Sequence, residues 1–106
     1  MKLDYFRQVH AFFNLKGDLK SAAVALYFAL LHIANESSHE GGINQSFHVD
    51  NERLMHLAGI GSKNTLISQR KILCQRGFIE YQSGGHFVDG KRNVGFYTLK
   101  KLYKNF

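Results

Sequence analysis

A chain of 106 residues with 44% apolar and 13% aromatic content and no proline has the size and composition of one compact domain, not of a disordered segment. One cysteine, Cys74, excludes an internal disulfide and fits a reducing, cytoplasmic setting. The amino terminus has no signal-type apolar run, and the apolar run Ala22–Leu31 is too short to span a bilayer, which argues against export and membrane insertion.

The net charge of +6 is unevenly placed. Residues 1–52 carry four Lys/Arg against six Asp/Glu, a net −2. Residues 53–106 carry ten Lys/Arg against Glu80 and Asp89 alone, a net +8. A one-sided basic footprint is what phosphate neutralisation requires.

In chain order, Asp4 is placed to cap a first helix to about Leu15, with Phe6, Val9 and Phe13 at i, i+3 and i+7 and Gly17 as its stop. Phe6, Phe12, Phe13, Tyr27 and Phe28 read as core or dimer contacts. A second helix, Ser21 to Asn35, is apolar nearly all round, which suits the centre of a domain or an oligomer interface. Residues 36–46 read as loop, and Ser46–Val49 as a short strand. Asp50 then caps a third helix, Asn51–Ala58, broken by Gly59-Ile60-Gly61. A fourth helix opens on Ser62 as N-cap and ends at Arg76 before Gly77. Phe78–Gln82 and Val94–Leu99 are strands by their aromatic and β-branched content. The glycine-rich, charged segment between them makes a β-hairpin wing, with glycines 84, 85, 90 and 95 keeping it adaptable. The expected fold is mainly α with a small β-hairpin wing (α+β), a winged helix-turn-helix in a single domain over residues 1–106.

Helix, tight turn, helix is the order in which a second helix can lie in a DNA major groove. At 100° per residue, Leu66, Leu73 and Cys74 fall on one side of the fourth helix, with Ile67 at its margin. Asn64, Ser68, Lys71 and Gln75 fall on the opposite side. Thr65 and Ile72 lie on a flank, and Lys63 near the start. Any surface helix has a polar face, but this one contains no Asp or Glu. Asn and Gln can pair bidentately with adenine, and Lys can reach guanine or phosphate. Ser62 and Thr65 can donate to phosphate at the helix amino terminus. Arg70, near the core side, can lay its stem on the core and present its guanidinium to a backbone phosphate or a carboxylate. In the wing, Lys91 and Arg92 are the expected phosphate contacts, beside His86 and Asn93. Tyr81, Phe87, Phe96 and Tyr97 could stack on unpaired bases if exposed.

Other chemistry is sparse. The six histidines form no HxxxH or HExxH pattern and no second cysteine completes a zinc site, so no metal is expected. No phosphate loop, GxSxG or complete GxGxxG occurs; no cofactor is expected and an enzyme is the remotest reading.

The stretches DYFRQVHAFF, ALYFALLHIANES, NERLMHLAGIGSKNTLISQRKILCQRGFIEY and YTLKKLY together resemble the amino-terminal winged-helix domain of DnaD-type primosomal and phage replisome-organiser proteins. The resemblance covers nearly the whole chain. It departs from the family's pattern in having no tryptophan before the short strand, where GGINQSF stands. It implies a replication-initiation role and binding to DNA, duplex with single strands as a further option. It also implies self-association through the first helix and wing, primosome or helicase-loader partners, and a place at the amino terminus of a longer protein. A transcriptional regulator of the same fold, and a protein–protein oligomerisation module in replisome assembly, are the alternatives.

Overall fold

The computed structural model describes residues 2–36, 42–84 and 94–104. These residues form an α+β fold of four helices and small antiparallel sheets. The order is β1 (Lys2–Leu3), α1 (Tyr5–Leu15), α2 (Ser21–Glu36), β2 (Ile43–Asn44), β3 (Ser46–Asp50), α3 (Asn51–Ala58), α4 (Lys63–Gln75), β4 (Ile79–Gln82) and β5 (Val94–Leu99). Among the described residues no helix is long and apolar enough to cross a membrane.

α2 is the centre of the molecule. Its residues Ala23, Leu26, Tyr27, Ala29, Leu30, Leu31, Ile33 and Ala34 are all buried, which accounts for its lack of a polar face. α3, α4, β2 and β3 pack around it. Of the two uses open to an apolar helix, the structure shows the first.

α1 starts as its sequence predicts, with the Asp4 carboxylate accepting from the Arg7 N–H at 3.0 Å. Its buried face is not the expected one. Phe6 is 82% exposed and Phe13 52% exposed. The inward stripe is instead Tyr5, Gln8, Val9 and Phe12. Phe12 stacks on Tyr27, with ring centroids 3.9 Å apart, and meets Phe78 edge-on. Gln8 can sit in this apolar stripe because both ends of its amide are satisfied. Nε2 donates to Tyr27 Oη at 2.9 Å and to the Lys100 carbonyl at 2.8 Å, and Oε1 accepts from the Leu102 N–H at 3.2 Å. Counting only apolar residues therefore misplaces the stripe by one position.

Two further differences are local. Residues 36–46, expected as loop, contain β2, which pairs antiparallel with β1 in the register Leu3↔Ile43. Both residues are fully buried, so the two-residue ladder is fixed by packing, not by a readable alternation. Asp50 occupies the N-cap position of α3 with extended backbone, but its side chain makes no capping hydrogen bond.

The main sheet has the order β3-β5-β4, all antiparallel. β5 is the middle strand, pairing Phe47↔Tyr97 and Val49↔Gly95 on one side and Tyr81↔Tyr97 on the other. Gly95 is a strand residue here, not part of an adaptable loop. A Cβ at this position would run into the Tyr81 ring, so its lack of a side chain is what lets that ring cross the sheet. Over the described residues beyond β5 the chain forms neither strand nor helix and is fastened to α1 through Gln8.

Candidate nucleic-acid interface

α3 and α4 stand between β3 and β4, and the turn between them depends on Gly59. This residue has φ +70, closes α3 in the left-handed conformation and lets its N–H reach back to the His56 carbonyl. Gly61, two residues on, does not have a positive φ. Ile60 between them is buried and anchors the turn to the core. Ser62 then caps α4, its Oγ accepting from the Thr65 N–H at 3.4 Å. Gly77, with φ +79, turns the chain out of α4 into β4.

α4 is held from beneath by Leu66 and Leu73, both fully buried, and by the half-buried Cys74. Burial raises the Cys74 thiol above its usual range, which suits a packing role and not nucleophilic chemistry. On the outward side Ser62, Lys63, Asn64, Ser68, Lys71 and Gln75 are exposed, and Thr65 is half-exposed. Ile67, at the margin of this face, is 45% exposed. The Ser68 hydroxyl donates to the Thr65 carbonyl at 3.0 Å, so towards a ligand it offers lone pairs, not its proton.

The cations separate into two groups. Arg53 pairs with Glu36, Arg76 with Asp18 at 3.2 Å, and Lys100 with Glu80 at 3.2 Å. Arg53 and the nearby His32 hold the Glu36 carboxyl below its ordinary range. Lys63 and Lys71 have no carboxylate at ion-pair distance among the described residues. The acid-free sequence of α4 thus becomes an exposed face whose positive charges are locally uncompensated.

Arg70 is placed differently from the phosphate contact its sequence position allows. It is 8% exposed, turned inward, and its Nη1 donates to Asn51 Oδ1 at 3.1 Å and to Tyr97 Oη at 3.0 Å. Its guanidinium carbon sits 3.9 Å from the centroid of the Tyr81 ring. The side chain is occupied in joining α4 to the start of α3 and to the sheet. Sequence reasoning missed its partners Asn51, Tyr81 and Tyr97; the one available sign was the position of Arg70 near the core side of the helix.

The strand aromatics are largely spoken for. Tyr97 is fully buried and Tyr81 lies under Arg70, while Phe96 packs 4.7 Å from His48. Tyr97 is therefore not a base-stacking residue. Lys91 and Arg92, with His86, Phe87 and Asn93, lie outside the described residues. Among the described residues no three His, Cys, Asp or Glu side chains come together as a metal site.

No protein-family model, curated protein or solved structure matches this chain.

Proposed function

We propose that this chain is a winged-helix DNA-binding module of a replication-initiation protein, of the primosome or replisome-organiser type, and not an enzyme. The observation that supports it most is the outward face of α4: exposed, free of acid, and carrying two lysines without ion-pair partners among the described residues. In this reading α4 enters the major groove with Asn64, Thr65, Ser68 and Lys71 towards base edges and Gln75 at its far end. Lys63, Ser62 and the wing residues Lys91 and Arg92 hold phosphates. Arg70 is a positioning residue, setting α4 against the hairpin. The replication assignment rests on the resemblance of the aromatic first helix, the apolar second helix and the GIGSKNTL…GFIEY stretch to DnaD-type domains.

Titration of a labelled duplex across a range of salt concentrations tests this. Affinity is expected to fall steeply with salt. The combined Lys63→Ala/Lys71→Ala variant is expected to flatten the logarithmic salt slope by about 2, or about 1 for each phosphate that is no longer neutralised. Duplex affinity that ignores salt, or is unchanged in the variant, overturns the reading.

A second reading, a self-associating assembly module, is favoured by the outer face of α1. Phe13 and Leu15 are 52% and 53% exposed, and Phe13 extends the apolar surface of Phe28, 5.6 Å away. Phe13→Ser in sedimentation equilibrium distinguishes it: a dimer that dissociates in the variant, with no duplex binding by the parent chain, supports assembly over DNA binding.

A further inference from the structure

The amino-terminal end of α1 forms a second surface, built from parts of the chain far apart in sequence. β1, the first turn of α1 and the segment after β5 enclose an open cleft of about 510 Å³, lined by Lys2, Asp4, Tyr5, Phe6, Arg7 and Tyr103 among others. Its chemistry is aromatic and cationic. Phe6 is the most exposed large apolar residue of the described chain, at 82%. Its nearest ring, Tyr5, stands at 88° to it, so the two do not stack. The Tyr103 ring has two cations over it, Lys101 Nζ at 4.9 Å and Arg7 Cζ at 5.9 Å from its centroid.

Lys2, Arg7 and Lys101 have no carboxylate at ion-pair distance among the described residues. Among the described residues the one carboxylate lining the cleft, Asp4, is engaged in capping the Arg7 N–H. The surface is also held in place. The Asp4 N–H donates to Tyr103 Oη at 2.9 Å, and Gln8 fastens Lys100 and Leu102 with both ends of its amide. A ring freely exposed on a helix, a second ring flanked by cations, and a rigid backing are the components of a stacking platform for unpaired bases with phosphate contacts alongside.

We propose that this cleft binds single-stranded nucleic acid, with bases on Phe6 and Tyr103 and phosphates on Lys2, Arg7 and Lys101. Duplex DNA does not fit the chemistry, because its base faces are already stacked. An acidic peptide satisfies the cations but brings no planar partner for the two rings. The site shares no residue with the outward face of α4, so it stands or falls independently of the duplex reading.

The test is fluorescence anisotropy of a labelled oligothymidylate of about 15 nucleotides, within the span of single-strand site sizes. Phe6→Ala is expected to weaken binding about tenfold, in the range of one base stack removed. Arg7→Gln is expected to weaken it several-fold and reduce its salt dependence. Lys20→Ala, at an exposed lysine outside both surfaces, is expected to leave it unchanged. Both Phe6 and Arg7 are exposed, and far-UV circular dichroism checks that their variants fold. Four results overturn the proposal: no loss in Phe6→Ala, equal affinity for an abasic strand of the same length, equally effective competition by polyglutamate, or a loss that tracks dissociation of an oligomer in sedimentation.

Discussion

The guanidinium of Arg70 lies over Tyr81, with Cζ 3.9 Å from the ring centroid, while its Nη1 reaches Tyr97 on the neighbouring strand. One side chain from α4 thus touches β4 and β5 and, through Asn51, the first residue of α3. Arg70→Ala removes the ring contact and leaves the buried Tyr97 hydroxyl without its donor, at an expected cost of about 3 kcal/mol in urea unfolding. Arg70→Lys keeps the charge but cannot reproduce the planar fork, so it is expected to recover less than half of that loss. A result in which Arg70→Ala unfolds at the parent urea midpoint removes Arg70 from its positioning role.

Tyr27 and Tyr97 supply a pH signature. Burial pushes both phenols up, from 10.0 to about 12 in each case, despite the hydrogen bonds from Gln8 and Arg70 that oppose the shift. An unfolded chain ionises these groups near 10, so between the two values it releases protons that the folded chain keeps. Their effect on stability is nil below about pH 10 and turns unfavourable as pH rises towards 12, reaching a few kcal/mol for the pair. Absorbance at the phenolate band is expected to show Tyr27 and Tyr97 ionising well above pH 10. Their ionisation should appear together with loss of helical signal. Ionisation of Tyr27 and Tyr97 near pH 10 in a folded chain contradicts their burial.

The turn between α3 and α4 separates the two roles a glycine can have. Gly59 has φ +70 with open space where a Cβ would go, so Gly59→Ala meets backbone strain alone, about 1 kcal/mol. Gly61 has open space and no positive φ, so Gly61→Ala is expected to be neutral or to stabilise by up to about 1 kcal/mol through the unfolded state. Thermal unfolding of the pair decides: Tm shifts of the same sign and size contradict the assigned conformations.

Gln8 is expected to control the segment after β5. Gln8→Met preserves length and volume but strands the Leu102 N–H and the Lys100 carbonyl, with a cost of about 2 kcal/mol. Trypsin should then cut after Lys100 or Lys101 faster than in the parent chain, before global unfolding. Unchanged cleavage kinetics means the segment is held by Tyr103 and packing alone.

The helices from Ser21 to Gln75 were legible because their ends are written in local chemistry: Ser62 at a cap, and Gly59 and Gly77 at positive φ. The exposed face of α4 followed from angular spacing alone. What was not legible depends on distant partners. Gln8 reads as a surface residue until Tyr27 and Lys100 are brought to it, 19 and 92 residues away. Without that, Phe6 and Phe13 look like the core face of α1. Arg70 likewise points where Asn51, Tyr81 and Tyr97 happen to meet, which no helical projection contains. β1 and β2 are too short to carry a pattern, and their pairing rests on two buried aliphatic residues.

The central place of β5 in the sheet has a consequence for how the molecule is made. Among the described residues β3 and β4 have no pairing with each other, and each pairs with Val94–Leu99. The pairing of Ser46 with Thr98 joins residues 52 apart. During synthesis the two helices around Gly59 leave the ribosome well before the strand that ties down both their flanks. The helical core is free to assemble early, through neighbouring contacts, whereas the sheet waits for its last strand. Until then Tyr81 has no Tyr97 beside it and Arg70 no complete cradle, so the outward face of α4 acquires its final orientation late.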